Sequence, residues 1–163
     1  MKIAGLIFIL LAPSLIGFMK AEDYIEENNI LRSFITLISF IKREISSYLT
    51  PQREIYTKFY DKHLYKCGFL DELKNSTSDT PLLSALSLTK ERLNLRAEPY
   101  ELIYEFASLF GTLSEKEEMD RCDKLVSELE EIYKKNKEEN REKIRLCRTV
   151  GCMTGIGLLL IMW

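Results

Sequence analysis

Histidine is almost absent from this chain: His63 is the one histidine in 163 residues. The four cysteines, Cys67, Cys122, Cys147 and Cys152, form no close pair. Zinc knuckles and dithiol redox motifs need closely spaced ligands or thiols, so neither is expected, no metal ligand is assigned, and the thiols are read as reduced. Also missing are a Gly-rich phosphate loop, a nucleophile elbow and a carboxylate pair in an apolar setting. No catalytic residue, cofactor-binding residue, cofactor or small-molecule substrate is therefore expected, and the chain is not read as an enzyme. His63, within YDKHLYK, sits among charges as a surface or capping residue. A net charge of −2, with no basic face bearing aromatic or Gly-rich readers, argues against nucleic acid as a partner. No segment alternates with the two-residue period of a half-buried strand.

Charge is missing from both ends. Ile3 to Met19 is seventeen residues without a charge, and Thr149 to Trp163 is fifteen more; Lys2 is the one charged side chain outside Lys20 to Arg148. A monomeric soluble domain does not leave two such ends exposed. The chain is read as an N-terminal transmembrane segment over 1–19, a cytoplasmic helical-bundle domain over 20–148, and a C-terminal transmembrane segment over 149–163. As helices the apolar runs extend ~25 Å and ~22 Å, short of a ~30 Å hydrocarbon core. Snorkelling of Lys20 and Arg148, local thinning, or Trp163 at the far interface would complete them. The first run has the basic start of a signal peptide, but Phe18, Met19 and Lys20 stand where a small-x-small site belongs, so an uncleaved anchor is expected.

Two spans put both termini on one side. Lys20, Arg141, Lys143, Arg145 and Arg148 flank the spans on the domain side against Lys2 on the other, which makes the domain cytoplasmic by the positive-inside rule. The four basic residues Arg141, Lys143, Arg145 and Arg148 are membrane-proximal candidates. They could face anionic headgroups or pair with Glu22, Asp23, Glu26 and Glu27 beyond the first span. Gly151 and Gly155 have the spacing of a close-packing face between membrane helices, and Pro13 is placed to kink the first span.

Between the ends the pattern is helical throughout. Ile30, Leu31, Phe34, Ile35, Leu37, Ile38, Phe40, Ile41, Ile45, Tyr48 and Leu49 form a broad stripe with the 3.6-residue period of a core helix. Thr50-Pro51 ends it and opens a second helix to Tyr65 or Lys66 near Gly68. KNSTSDT, residues 74–80, reads as a loop, and Thr80-Pro81 opens a helix to about Leu95. Glu98-Pro99 opens another, which ends at Gly111. Ser114-x-x-Glu117 is a capping box that starts the last helix. From Lys134 to Lys143, KKNKEENREK has no apolar side chain, so this stretch is expected to lie outside the core as a charged extension over 134–148. One helix from Ser114 to Trp163 would be about 75 Å long. The fold class is all-α, a helical bundle whose first and last helices extend into the terminal segments.

Phe110-Gly111-Thr112-Leu113-Ser114-Glu115-Lys116-Glu117-Glu118 is similar to a Leu-Gly-x-Ser-Asp-x-x-x-Gln stretch. Arg148-Thr149-Val150-Gly151 with Gly155 is similar to a Leu-Gly-x-x-x-Gly ending. In these stretches and in its order of features the chain resembles the stage III sporulation protein AB family along its whole length. Phe110 stands where the family has Leu, Leu113 where it has Ser, Ser114 where it has Asp, and Glu118 where it has Gln. Ser keeps the N-cap chemistry of Asp. The family positions singled out are Phe110, Gly111, Ser114 and Glu118.

The resemblance implies a component of the mother-cell complex that builds the channel toward the forespore, with a domain similar to the cytoplasmic domains of type II secretion platform proteins. It also implies partners: other stage III sporulation membrane proteins and their cytoplasmic secretion-type ATPase. The leading expectation is a non-enzymatic platform held in the cell membrane by two spans. The alternative is a membrane-tethered helical adaptor or regulator outside sporulation.

Overall fold

The computed structural model describes the backbone of residues 2–48 and 52–162, and the side chains of residues 19–46, 54–146, 149, 150 and 153. Among the described residues seven helices follow one another: α1 (Lys2–Tyr48), α2 (Gln52–Lys58), α3 (Lys62–Lys66), α4 (Phe69–Asn75), α5 (Pro81–Leu93), α6 (Ala97–Leu109) and α7 (Glu115–Met162). Among the described residues there is no strand, and the fold is all-α. The chain divides into two compact units, Met1–Glu26 with Lys135–Trp163, and Glu27–Lys134. The larger unit falls inside the 20–148 stretch expected for the domain.

In the larger unit the stripe on α1 is buried as its spacing demands: Ile30, Leu31, Phe34, Leu37, Ile38 and Ile41 are each at most 2% exposed. Phe34 meets Phe69 of α4 edge-on at 5.0 Å between ring centroids, and Phe40 meets Phe59 at 5.3 Å. Edge-on aromatic pairs add ~0.5–1.5 kcal/mol beyond their burial. Ile55, Leu64, Leu70, Leu86, Ile103 and Leu129 extend one core across α2 to α7. Ion pairs rim it. Lys42 of α1 bonds both carboxylate oxygens of Asp123 at 2.5 and 2.6 Å. The buried Glu27 faces Arg96 at 3.0 Å.

The single helix expected up to Tyr65 or Lys66 is two helices. Asp61 breaks it: its Oδ1 accepts the backbone N–H groups of His63 (2.9 Å) and Leu64 (3.1 Å), a strong N-cap that starts α3 afresh. His63 thus stands in the first turn of a five-residue helix. The Thr50-Pro51 start lies outside the described residues. Pro81 does open α5, although Thr80 makes no side-chain capping bond. That helix stops at Leu93 because Asn94 turns left-handed, φ 46°. Residues 69–75, unassigned from their pattern, form α4.

The expected continuation of α1 and α7 into membrane spans over 1–19 and 149–163 falls mostly on side chains outside the described residues. Among the described residues, no helix is long and apolar enough to cross a membrane.

Gly68 joins α3 to α4 at φ 79°, and a Cβ added there would lie 2.6 Å from the Arg92 guanidinium. Arg92 is exposed and can swing away, whereas the left-handed backbone strain would remain. Gly68→Ala should therefore cost about 1–2 kcal/mol in urea denaturation, and adding Arg92→Ala should not restore the loss.

Candidate functional site

The four family positions converge on the turn between α6 and α7. Phe110 closes α6, buried at 7% exposure, with its ring 5.2 Å from that of Phe106. Gly111 follows at φ 88°, a conformation that costs an L side chain ~1–2 kcal/mol. The chain then needs acceptors for the N–H groups it turns inward, and α7 supplies them. Glu118 Oε1 accepts from Gly111 N–H at 2.7 Å and, more weakly, from Leu113 N–H at 3.4 Å. Glu117 Oε2 accepts the Ser114 N–H at 3.1 Å and the Ser114 hydroxyl at 2.6 Å. Half of the expected capping box is present: the glutamate reaches back as anticipated, but the Ser114 hydroxyl donates to it instead of capping the backbone. These bonds, the hydroxyl's first and the N–H second, hold the exposed Glu117 carboxyl below its ordinary value.

Behind the turn is a buried polar cluster. Glu118 is 4% exposed, Tyr56 of α2 is 2% exposed, and Cys122, one turn along α7, is fully buried. Among the described residues, neither Glu118 Oε2 nor the Tyr56 hydroxyl has a hydrogen-bond partner. Burial, and secondarily the Glu118 charge, push the Tyr56 phenol above its ordinary value. Burial, then the charges of Glu118 and Asp123, push the Cys122 thiol up to about 12. At neutral pH both groups stay protonated, and a protonated thiol is a poor nucleophile. The arrangement anchors one carboxylate where it can hold the α6–α7 turn.

KKNKEENREK, expected to lie outside the core as a charged extension, falls from Lys135 onward in the smaller unit, where Asn136 is 3% and Asn140 1% exposed. Asn140 Nδ2 donates to the Tyr24 carbonyl of α1 at 3.4 Å. The two asparagines are four residues apart and share one helix face, so the packed face of α7 turns polar here without ceasing to be packed. Lys143 lies 5.9 Å from the Tyr24 ring centre and 3.4 Å from Glu139. Arg141 and Arg145 are exposed, as are Glu22 and Asp23. Of the acids proposed for pairing with this basic group, Glu27 instead faces Arg96, in the larger unit. Arg148, Gly151 and Gly155 lie outside the residues described in side-chain detail. Residue type alone did not reveal Tyr56, Asn136 or Asn140; the i, i+4 spacing of the asparagines was the available signal for the last two.

A family model described as stage III sporulation protein AB matches residues 2–163, from the first described residue to the last of the chain. The chain belongs to the stage III sporulation protein AB family. The family is one of sporulation stage III proteins, and its match takes in both compact units and the Phe110–Glu118 turn. No curated protein and no solved structure matches the chain.

Glu118→Ala should cost about 1–3 kcal/mol, because it removes the acceptor of the part-buried Gly111 N–H. Glu118→Gln keeps an acceptor oxygen and should cost about 1 kcal/mol or less by the same denaturation measurement.

Folding raises the Cys122 and Tyr56 values, so the folded state holds these two protons more tightly than the unfolded chain. Their stabilisation is complete below pH 9.0, the ordinary thiol value, and is lost as pH climbs toward about 12. Denaturation midpoints should accordingly fall from pH 9 upward. Cys122→Ala should flatten the decline between pH 9.0 and 10.0, below the ordinary value of tyrosine.

Proposed function

We propose that this chain is a non-enzymatic, membrane-anchored platform of the sporulation channel, which docks a cytoplasmic ATPase to its membrane partners. The observation that carries the reading is the family match over residues 2–163, a family of sporulation stage III proteins. Two features of the chain support it. Its ends, Ile3 to Met19 and Thr149 to Trp163, are uncharged and apolar, which suits two short spans in the cell membrane with the helical domain on the mother-cell cytoplasmic side. Its larger unit is a packed bundle whose exposed helix faces suit protein contacts.

In this reading Arg141 and Arg145, exposed on α7, stand with Lys143 and Arg148 at the headgroup level. Each basic residue near an anionic surface contributes about 1 kcal/mol. Gly151 and Gly155 would let the last span approach another membrane helix closely.

The test is fractionation of sporulating cells that carry a tagged full-length chain. The chain and the ATPase should both be recovered in the membrane fraction, and deletion of the chain should release the ATPase to the soluble fraction and arrest sporulation at stage III. A soluble chain, or an ATPase whose distribution ignores the deletion, would refute the platform reading. Reversing Arg141, Lys143, Arg145 and Arg148 to Glu together should reduce the membrane-bound share; an unchanged share would remove the headgroup role.

A further inference from the structure

Tyr60 and Tyr65 are 68% and 51% exposed, and their rings lie 5.9 Å apart at 42° to each other. They flank α3 in the larger unit, Tyr60 in the connection before it and Tyr65 within it. A tyrosine ring left in water forgoes the burial that the rest of this bundle achieves, whereas tyrosine in a docked surface contributes large contact area with few rotors to freeze. Around the pair lysines outnumber acids: residues 59–66, FYDKHLYK, carry two lysines and one aspartate in a chain whose net charge is −2, while Lys58 just before them faces Glu54 and Glu44. Asp61 is engaged in capping α3, and Lys62 and Lys66, close to the two tyrosines in sequence, are exposed.

We infer that the Tyr60–Tyr65 pair with Lys62 and Lys66 is a docking surface for an acidic polypeptide segment of a protein partner, its apolar side chains on the rings and its carboxylates on the lysines. Charge complementarity selects the occupant. A nucleic-acid strand also stacks on aromatic rings, but its backbone requires an extended basic track. This chain holds 25 acids against 23 bases, and the basic stretch is local. A peptide with a few carboxylates needs no more than that. The surface belongs to the larger unit alone and does not depend on the platform reading.

The test uses the full-length chain in neutral detergent and fluorescence anisotropy with three labelled probes: a short peptide of alternating Glu and Leu, its Lys and Leu counterpart, and an oligothymidylate. The Glu–Leu peptide should bind, and binding should weaken with salt. Tyr60→Ser with Tyr65→Ser should weaken it about tenfold or more, a loss of ~1.4 kcal/mol or more. Lys62→Glu with Lys66→Glu should do the same. Leu88→Ser, at another exposed apolar residue (63% exposed), should leave it unchanged. All four altered side chains of the two double variants are exposed, and retained helical circular dichroism and melting confirm the fold of each. Absence of Glu–Leu binding overturns the inference, as does equal binding of the Lys–Leu peptide, preference for the oligothymidylate, or undiminished binding by either double variant.

Discussion

One face of α1 is the surface on which the larger unit is assembled. Ile30, Leu31, Phe34, Leu37, Ile38 and Ile41 leave water almost entirely, each contributing about 1.5–3 kcal/mol of transfer free energy. No other described stretch of the larger unit offers a longer continuous apolar face. The short helices α2 to α4, of five to seven residues, are too short to hold together unaided. They are ordered because Ile55, Leu64, Phe69 and Leu70 are buried in the core they share with this face, Phe69 directly against Phe34. Polar contacts then fix where each neighbour sits: Lys42 with Asp123 of α7, and Glu27 with Arg96 at the start of α6. Breaking the second would leave a buried carboxylate without its cation, a heavier loss than an exposed ion pair suffers.

The α6–α7 turn shows how a short motif becomes a structural element. Gly111 is required by a positive φ, Phe110 by the core beneath it, and Glu118 by the N–H groups that the turn directs inward. Burial first, and the Glu118 carboxylate second, push the Tyr56 phenol and the Cys122 thiol above their ordinary values and so keep both groups uncharged. The consequence is a fall in stability at alkaline pH.

Asn136 and Asn140 give the smaller unit a different character. A packed helix face made of asparagines contributes less apolar burial than one of leucines, but each amide needs a partner in a defined place. Asn140 finds the Tyr24 carbonyl. Buried polar residues of this kind set the register between paired helices at a cost in stability, as they do in coiled coils.

The helices were legible in the sequence wherever apolar residues recur with the 3.6-residue period, and the starts at Pro81 and Glu115 were legible from their proline and capping signals. The left-handed Gly111 and the reach of Glu117 to Ser114 follow from residue type and local spacing. The break at Asp61 is also local, but it was hidden by an apolar period that continues through it. What tertiary structure alone decided is which partners distant residues meet. Glu27 reads as one of four acids beside a membrane segment and in fact faces Arg96. KKNKEENREK reads as a charged extension outside the core, and within the smaller unit it buries Asn136 and Asn140. Tyr56 reads as one more tyrosine and stands in the field of Glu118. Periodicity and capping act within a few residues and leave their mark on the sequence, whereas these pairings join residues more than sixty positions apart, whose contact no local pattern encodes.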